Sequence, residues 1–397
     1  MSTSAKTILV VGTESDNPFA NDIAESCVQQ TDIADAISLK TFANGEFCPR
    51  FISDERELDH IGSRLAGVTL VLVTTASIQL TRNELAWRNL LVARAAKDNG
   101  ADKVVLVEPD LFFSAQDRGP RPEHAGIDLD RPVADRKKFD GQPFSSKLYA
   151  ESLALSGVDA VITVHNHSDS VLEILRQKMP EGVVNLNPAE VFADYLRHSD
   201  VVPALHSGDG LLVCAPDKGA RQFASEVHDK LASPRADLLF MAKQRLGERN
   251  VSVVVDAESP SPAQSIKGRD VVILDDMVRT GGTIMECCRL LKEAGAGRLV
   301  FLVSHFYASA EVRENLHNAV LDEIVTTNTI PCILNRDTQG RLRRKMTVLK
   351  LEGWISRYVL DFLGLPADHM TGRLYAVDMS SKNPRWRAVG EANSVGG

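Results

Sequence analysis

Asp275 and Asp276 are adjacent carboxylates at the end of an apolar run in the segment DVVILDDMVRTGGTI at 270–284. The turn that follows them contains Arg279, Thr280, Gly281, Gly282 and Thr283. A glycine-containing turn between a strand and a helix aims backbone N–H groups at an anion, and the helix dipole adds to the attraction. Two carboxylates just before such a turn can accept hydrogen bonds from vicinal ribose hydroxyls or hold Mg²⁺ through water. The segment therefore predicts a site for a sugar phosphate.

Two basic residues, Lys243 and Arg245, directly follow a strand-like run in FMAKQRLGERN at 240–250. Cations at this position could neutralise charge that develops on a transferring phosphoryl group. A basic pair in a loop is also typical of a solvated surface. The pair is therefore a candidate for phosphoryl-transfer chemistry because it accompanies the sugar-phosphate segment, and it would be a weak signal by itself.

Continuous apolar, β-branched runs predict the strands that must position these residues. The runs lie at 7–11, 69–75, 103–108, 160–164, 210–217, 238–243, 251–257, 271–276 and 298–306. Because they are apolar throughout and do not alternate, they are typical of strands buried on both faces of a sheet. Ile284, Cys287, Cys288 and Leu291 have the spacing of an amphipathic helix. Strands and helices in alternation predict an α/β fold with largely parallel sheets.

The pattern of apolar strand, polar loop and helix starts once in each half of the chain, which predicts two α/β domains. We expect an N-terminal domain at 1–165 and a C-terminal domain at 166–365 that contains the sugar-phosphate segment. A polar, loosely held tail is expected at 366–397. The charged stretch at 117–143 lacks periodicity and is predicted to be a long surface loop inserted in the first domain.

Charge and composition exclude several classes of protein. The 397 residues include 45 Lys and Arg against 53 Asp and Glu, which gives a formal net charge of −8. A chain of this charge is not expected to bind nucleic acid through its overall field. It has neither the roughly 20-residue apolar run of a membrane span nor the apolar region of a signal peptide. We therefore expect a cytoplasmic protein, without nucleic-acid or membrane partners, whose six cysteines are reduced thiols.

The segment 270–284 resembles the phosphoribosyl-binding motif shared by phosphoribosyltransferases and ribose-phosphate diphosphokinases, the phosphoribosyl pyrophosphate (PRPP) synthetases. Other segments are similar to those of PRPP synthetases and extend the resemblance from about residue 7 to 363. The family is built from two tandem phosphoribosyltransferase-like domains, each with a mainly parallel central sheet flanked by helices. The resemblance implies the same architecture for this chain, with ribose 5-phosphate bound by the second domain.

The resemblance also assigns residues of the second half to ribose 5-phosphate and to the reaction. Asp275 and Asp276 would position the ribose, and the turn from Arg279 to Thr283 would bind its phosphate. CAPDKGARQF at 214–223 looks like a family loop that places Asp217 beside the ribose phosphate and a metal ion. FMAKQRLGERN is similar to a flexible catalytic loop, so Lys243 and Arg245 would clamp the transferring phosphoryl groups.

In the first half, TFANGEF at 41–47 looks like a family loop that meets the adenine and ATP of a neighbouring subunit. Phe42, Asn44 and Glu46 stand at the matching positions. The alternative is a structural β-turn in which Phe42 anchors a core. ITVHNHSDS at 162–170 resembles a strand end whose histidine lies near Mg²⁺ and ATP, which His167 would match, although such a histidine is more often a packing or capping residue.

Three positions depart from the family pattern. Arg279 replaces an acidic residue that usually precedes the threonine of the phosphate turn. The strand-end motif Asp-Leu-His has become His165-Asn166-His167, which removes a carboxylate near the metal. The family's Arg-Gln-Asp-Arg motif, which contacts ATP, aligns either with Ala115, Gln116, Asp117 and Arg118 or with Val133, Ala134, Asp135 and Arg136. The sequence leaves this choice open.

The implied reaction transfers the diphosphoryl group of ATP to the C1 hydroxyl of ribose 5-phosphate, with Mg²⁺ on the ATP phosphates, and yields PRPP and AMP. Because the ATP site of such enzymes is completed across an interface, we expect a homodimer or a higher even oligomer. Two alternatives remain. The chain could be a non-catalytic regulatory homologue, as its altered metal and adenine positions suggest, or a phosphoribosyltransferase that consumes PRPP.

Overall fold

The computed structural model divides the chain into two compact units. It describes residues 7–52, 56, 58–121, 131–206, 210–245 and 251–378, without the side chains of 243–245 and 251–253. The first unit comprises Met1–Leu186 and Glu352–Arg373, and the second comprises Asn187–Leu351 and Leu374–Gly397. The boundary expected between 165 and 166 differs from this division, because Gly182–Leu186 pairs with Ala160–Val164 and so extends the first sheet.

The first unit is built on a parallel sheet. Its strands are β1 Thr7–Gly12, β4 Val68–Val73, β5 Lys103–Val107, β6 Ala160–Val164 and β7 Gly182–Leu186, and a separate antiparallel hairpin consists of β2 Ile37–Thr41 and β3 Phe47–Phe51. The sheet order is β1-β4-β5-β6-β7, and each neighbouring pair is parallel. The central strands are apolar throughout because they are covered on both faces.

The helices of the first unit come from both ends of the chain. They are α1 Pro18–Ser26, α2 Ile33–Ala36, α3 Arg82–Asp98, α4 Val133–Lys137, α5 Ser145–Ser156, α6 Asp169–Arg176 and α12 Glu352–Phe362. α12 packs on α1, which is why the structure assigns it to the first unit and not to the second, where the sequence placed it. The inserted stretch at 117–143 contains α4 and so is not wholly loop, and residues 122–130 lie outside the described part.

The second unit is built on an eight-stranded sheet. Its strands are β8 Leu211–Ala215, β9 Ala236–Arg245, β10 Val251–Val255, β11 Asp270–Val278, β12 Leu299–Phe306, β13 Glu323–Thr327, β14 Met346–Lys350 and β15 Ala376–Asp378. The order is β10-β9-β8-β11-β12-β13-β14-β15, parallel except for the antiparallel edge strands β10 and β15. Part of the expected tail at 366–397 is therefore an edge strand, and residues 379–397 lie outside the described part.

The helices of the second unit are α7 Ala189–His198, α8 Arg221–Leu231, α9 Gly282–Glu293, α10 Ala310–Leu316 and α11 Arg336–Gln339. Single 3₁₀ turns lie at Pro203–Leu205, Ala263–Ile266, Pro331–Leu334 and Gly340–Arg344. Ile284, Cys287, Cys288 and Leu291 are at most 2 % exposed, which confirms the predicted amphipathic helix. In the part of the chain that the structure describes, no helix is long and apolar enough to cross a membrane.

Candidate active site

The turn between β11 and α9 has a backbone shape that requires glycine. Gly281 has φ of +80°, and a Cβ atom built on it would lie 3.2 Å from Leu316 Cδ2. Other residues are strained at positive φ, and here the side chain would also meet a buried neighbour. Asn315 Nδ2 donates a hydrogen bond to the carbonyl oxygen of Thr280 at 2.8 Å, so α10 is tied to the turn.

The start of α9 offers hydrogen-bond donors to an anion. The helix begins at Gly282, and its first turn has no acidic side chain that would oppose the helix dipole. Arg279, Thr280 and Gly282 are exposed, and Thr283 is half-buried. A phosphate at this turn could bind backbone N–H groups and threonine hydroxyls, with the Arg279 cation next to them in the chain. The predicted phosphate turn therefore has suitable local geometry.

Asp275 and Asp276 are a pair of half-buried carboxylates near the carboxyl end of β11. The backbone N–H of Asp276 donates to Asp275 Oδ1 at 3.0 Å, and that of Met277 donates to Asp276 Oδ1 at 2.8 Å. Burial raises the pKa of Asp275 well above its usual range, and the charges of Asp276 and Asp217 raise it further. Ribose hydroxyls or a cation beside this pair would reduce the repulsion between the carboxylates.

Asp217 lies in the turn after β8, the neighbouring strand. Its Oδ1 accepts from the backbone N–H of Gly219 at 3.0 Å. β8 pairs with β11 only from Asp270 to Ile273, so β11 continues past this pairing toward its carboxylate pair. Because β8 and β11 are parallel neighbours, their carboxyl ends lie at one edge of the sheet, and the charge of Asp217 helps to raise the pKa of Asp275. The structure therefore brings Asp217 to the same sheet edge as the sugar-phosphate segment. Ligands of open α/β sheets commonly bind at this edge, where the carboxyl ends of the strands lie.

The donor set fits a magnesium ion that arrives with substrate. Among the described residues, no group of three or more His, Cys, Asp and Glu side chains could hold a metal ion by itself. Mg²⁺ commonly binds one or two carboxylates together with substrate phosphates and water. Asp217, Asp275 and Asp276 supply such carboxylates. Burial is the main cause of the raised pKa of Asp275, and a cation would relieve the further contribution from the charges of Asp276 and Asp217.

Lys243 and Arg245 lie on the extended strand β9. Their backbones pair with Val253 and Val251 of β10, and their side chains lie outside the described residues. The strand therefore continues further than the predicted run at 238–243, because β10 pairs with it as far as Arg245. β9 runs parallel to β8, so its carboxyl end leaves the sheet at the same edge as the Asp217 turn. The clamping role of Lys243 and Arg245 stays a prediction.

In the first unit, Phe42, Asn44 and Glu46 lie in the turn of the β2–β3 hairpin. The N–H of Phe42 donates to the carbonyl of Glu46 at 2.8 Å, and Asn44 Oδ1 accepts from the N–H of Glu46 at 3.1 Å. The Phe42 ring is 43 % exposed and lies 5.0 Å from Lys40 Nζ. The segment is therefore a turn, as the structural alternative expected, but Phe42 does not anchor a core. An exposed ring beside a cation suits the stacking of a base.

The structure brings together the two segments between which the sequence could not choose. Arg118 Nη1 lies 3.7 Å from Asp135 Oδ2, and Arg131 Nε lies 2.9 Å from the same oxygen. Arg131 lowers the pKa of Asp135 by hydrogen bonding. The two alignments therefore describe two sides of one ionic cluster, in which the second segment supports the first.

His167 is exposed at the end of β6, next to a contact with this cluster. Ser168 Oγ donates to Asp117 Oδ2 at 2.8 Å, which ties the segment of Gln116, Asp117 and Arg118 to the β6 end. His167 is therefore not a buried packing residue. Its metal role, like the ATP contacts of Gln116, Asp117 and Arg118, stays a prediction.

Two residues that the sequence did not single out support these segments. Asn315 holds the carbonyl of Thr280, and Ser168 holds the carboxylate of Asp117. Both act across long separations in the chain, so no local pattern reveals them. The sequence offered only one signal for Asn315 and Ser168, which is that each is a polar residue near the end of a short helix or strand.

The second unit contains a known type of domain. Residues 205–333 match the model of the phosphoribosyl transferase domain. This match includes Asp217, the carboxylate pair and the predicted phosphate turn. The expected phosphoribosyltransferase fold is confirmed.

Longer comparisons point to one group of relatives. The chain is 28 % identical over 279 residues to a ribose-phosphate pyrophosphokinase of Methanopyrus kandleri, covering 70 % of this chain and 81 % of the relative. It is 25 % identical over 340 residues to a ribose-phosphate pyrophosphokinase of Corynebacterium efficiens, and the match covers 85 % of this chain and 88 % of the relative. The crystal structure of phosphoribosylpyrophosphate synthetase from Mycobacterium smegmatis superposes with a TM-score of 0.68 at 22 % identity, over 90 % of this chain and 100 % of that one. Over most of its length the chain is therefore similar to ribose-phosphate pyrophosphokinases, in agreement with the resemblance of the sequence motifs.

Proposed function

We propose that the chain is a ribose-phosphate diphosphokinase that transfers the diphosphoryl group of ATP to ribose 5-phosphate. The observation that carries the proposal is the arrangement of the Asp275–Asp276 pair, Asp217 and the glycine-containing phosphate turn at one sheet edge. The relatives that match most of the chain are ribose-phosphate pyrophosphokinases by name. The matched domain type supports a phosphoribosyl ligand in the second unit.

In the proposed reaction, the C1 hydroxyl oxygen of ribose 5-phosphate attacks the β-phosphorus of ATP. The bond between that phosphorus and the bridging oxygen to the α-phosphate breaks, AMP leaves with the oxygen, and the hydroxyl proton passes to solvent. Phosphoryl transfer through a loose transition state needs positioning and charge stabilisation more than a strong base. Bound Mg²⁺ would neutralise part of the phosphate charge.

The chain's own residues have separate proposed tasks. The start of α9 and the side chains of Arg279, Thr280 and Thr283 bind the 5-phosphate. Asp275 and Asp276 accept hydrogen bonds from the ribose hydroxyls, which orients C1. Lys243 and Arg245 stabilise charge on the transferring phosphoryl groups.

The first unit is proposed to bind ATP. Phe42 would stack on the adenine, with Asn44 and Glu46 at its polar edge, and Gln116, Asp117 and Arg118 would contact the nucleotide. We propose that these loops act on a site shared between subunits, so the active form is a homodimer or a larger even oligomer. His167 and Asp217 are proposed metal contacts.

The test is to incubate the full chain with ATP, Mg²⁺ and ribose 5-phosphate and to follow AMP and PRPP by ³¹P NMR. We expect the two products in equal amounts, and an Asp275→Asn variant should lose most of the activity. A matched Asp229→Asn variant, at an exposed position on α8, should behave as the wild type. Binding of both substrates without any products would favour the regulatory alternative. If no PRPP formed from these substrates, but PRPP supplied in a second incubation with a nucleobase were consumed, the transferase alternative would be favoured.

A further inference from the structure

Glu108 is a carboxyl group with no solvent exposure, directly after β5. Its Oε2 accepts from Asn89 Nδ2 at 2.9 Å and from Tyr149 Oη at 2.7 Å, and its Oε1 accepts from the backbone N–H of Phe112. Asn89 on α3 and Tyr149 on α5 are also buried. A buried carboxyl group is costly unless donors surround it, so these elements form a built site around Glu108. The proposed substrate contacts do not include it.

The Phe112 N–H belongs to the segment 111–118, which ends in the proposed nucleotide residues. Phe113 has φ of +61°, a strained conformation for an aromatic residue. The rings of Phe112 and Phe113 lie 6.5 and 5.3 Å from the Tyr149 ring, measured between centroids. Strained backbone persists only when its surroundings hold it. Glu108 and Tyr149 provide that support at the beginning of the segment.

The other end of the segment is held separately. Asp117 accepts the hydrogen bond from Ser168, and the carbonyl of Gln116 accepts from the N–H of Ser146 at 3.4 Å. The segment is therefore a short bridge with one end fixed to the β6 end and α5, and the other fixed to Glu108. Loosening the Glu108 end would allow Phe113 to relax and would move the bridge.

We propose that Glu108 is a positioning residue that holds segment 111–118 in its nucleotide-binding conformation through the Phe112 N–H. This inference rests on the proposed function, in which Gln116, Asp117 and Arg118 contact ATP. The ionised carboxylate forms charge-assisted hydrogen bonds with its donors, which are stronger than those of the neutral acid. The segment is therefore held most firmly when Glu108 is ionised.

The ionisation of Glu108 falls in a useful pH range. Burial raises its pKa to about 7, although the Phe112 N–H, the Tyr149 hydroxyl and the Arg82 charge act to lower it, and the Asp110 charge raises it. Among the described residues, Arg82 faces it from α3, Tyr149 from α5 and Asp110 from the turn after β5. Arg82 and Asp110 are themselves paired. We therefore expect ATP to bind more tightly as the pH rises through about 7.

The experiment measures KM for ATP and kcat of the full chain at several pH values on both sides of neutrality. For the wild type, KM should fall roughly fivefold to tenfold across the transition, as expected for a charge-assisted hydrogen bond, while kcat at saturating ATP changes little. Glu108→Gln should keep the high KM at every pH. Glu151→Gln, at an exposed position on α5, should reproduce the wild-type step.

A second variant separates positioning from a general loss of structure. Tyr149→Phe removes one donor that lowers the pKa of Glu108, so the midpoint of the KM step should move to higher pH. A variant that merely unfolds in part would lose amplitude without moving the midpoint, and thermal unfolding would reveal it. A wild-type KM without a step near neutral pH, or a Glu108→Gln enzyme that retains the step, would overturn the proposal.

Direct titration with ATP distinguishes failure of this inference from failure of the proposed function. If the wild type forms no products but binds ATP with the expected pH step, only the transfer reaction is contradicted. If it forms products, but KM for ATP neither changes with pH nor differs between the wild type and Glu108→Gln, only the positioning role is contradicted. If ATP does not bind, both are contradicted.

Discussion

The side-chain amide of Asn315 donates a hydrogen bond to the carbonyl oxygen of Thr280 at 2.8 Å, which connects helix α10 to the phosphate turn. Thr280 immediately precedes Gly281, so this contact fixes the backbone just before its left-handed residue. The turn is therefore shaped by a residue outside the motif that identifies it. Its phosphate affinity should depend on α10 as well as on α9.

Asn315→Ala should raise KM for ribose 5-phosphate about fivefold, because a net loss of one hydrogen bond is worth about 1 kcal/mol. kcat should change little, since in the proposed function the turn binds the phosphate and does not contact the reacting bond. Steady-state kinetics with ribose 5-phosphate as the varied substrate will check this. Glu314→Ala, at the preceding exposed position, is the control, and an equal effect of both variants would contradict the role of Asn315.

Gly281→Ala should weaken ribose 5-phosphate binding and lower the free energy of unfolding by roughly 1–2 kcal/mol. The new Cβ atom would be strained at φ of +80° and would lie 3.2 Å from Leu316 Cδ2. Gly364→Ala is the matched control, because φ there is +69° and no atom lies within 4 Å of the built Cβ. Chemical denaturation measures the free energy of unfolding of both variants, and steady-state kinetics with ribose 5-phosphate as the varied substrate measures their binding. A Gly364 variant as impaired in substrate binding as the Gly281 variant would refute the explanation.

Lys243→Ala should lower kcat by about 10²–10³-fold, the usual effect of removing one group that stabilises transition-state charge. KM for both substrates should change much less, because such a charge acts mainly in the transition state. Lys230→Ala, at an exposed position on α8, should leave turnover unchanged. Circular dichroism will establish that the variant is folded. Unchanged turnover in a folded Lys243→Ala protein would remove Lys243 from the proposed mechanism.

Arg279→Asp should raise KM for ribose 5-phosphate about tenfold or more, because it places a negative charge beside the phosphate turn. Arg279→Gln should have a smaller effect, since it removes attraction without adding repulsion. The difference between the two variants should shrink at high salt, because exposed charges are screened. An Asp variant with lower KM or higher activity than the wild type would mean that Arg279 impairs the site and does not serve it.

Glu108 should make the stability of the first unit depend on pH. Its pKa is about 7 in the folded chain, against a usual value of 4.5, so the folded state binds more protons between these values. The free energy of unfolding should therefore fall by about 3 kcal/mol as the pH rises from about 4.5 to above about 7. Glu108→Gln should remove this part of the slope.

The measurement for this prediction is the difference in unfolding free energy between the wild type and Glu108→Gln, followed across the pH range. The raised pKa of Asp275 gives a slope of the same sign in both proteins, so it cancels in the difference. Glu151→Gln, at an exposed position on α5, should show no such difference. A constant difference between the wild type and Glu108→Gln at all pH values would show that Glu108 does not titrate as described.

The sequence predicted the strands with continuous apolar runs, and each predicted run coincides with a strand of the structure. These runs did not include β2, β3, β7, β13 and β14, which are five residues long and contain polar residues, or the edge strand β15. Such strands form because a neighbour supplies the pairing, as β14 does for β15. Their stability is therefore a property of the sheet, and local propensity is a weak guide to it.

The split nucleotide motif shows a similar limit. The sequence allowed either of two pairs to match the nucleotide-contacting motif, Asp117 and Arg118 or Asp135 and Arg136, because both segments contain the same residue types. The structure shows that Arg118 and Asp135 lie 3.7 Å apart, so the two segments interact. A sequence alignment presents the two segments as alternatives, because it compares positions along the chain and contains no distances between atoms.

The amino-acid sequence alone predicted the α/β class, the glycine-containing turn before α9 and the carboxylate pair that precedes it, because these depend on residue types within a few positions of each other. Only the tertiary structure placed Asp217 beside Asp275, fixed Thr280 through Asn315 and buried Glu108 among Asn89, Tyr149 and Phe112. The physical reason is that pKa values and hydrogen bonds depend on solvent exclusion and on atoms a few ångströms away. Folding brings these together from distant parts of the chain.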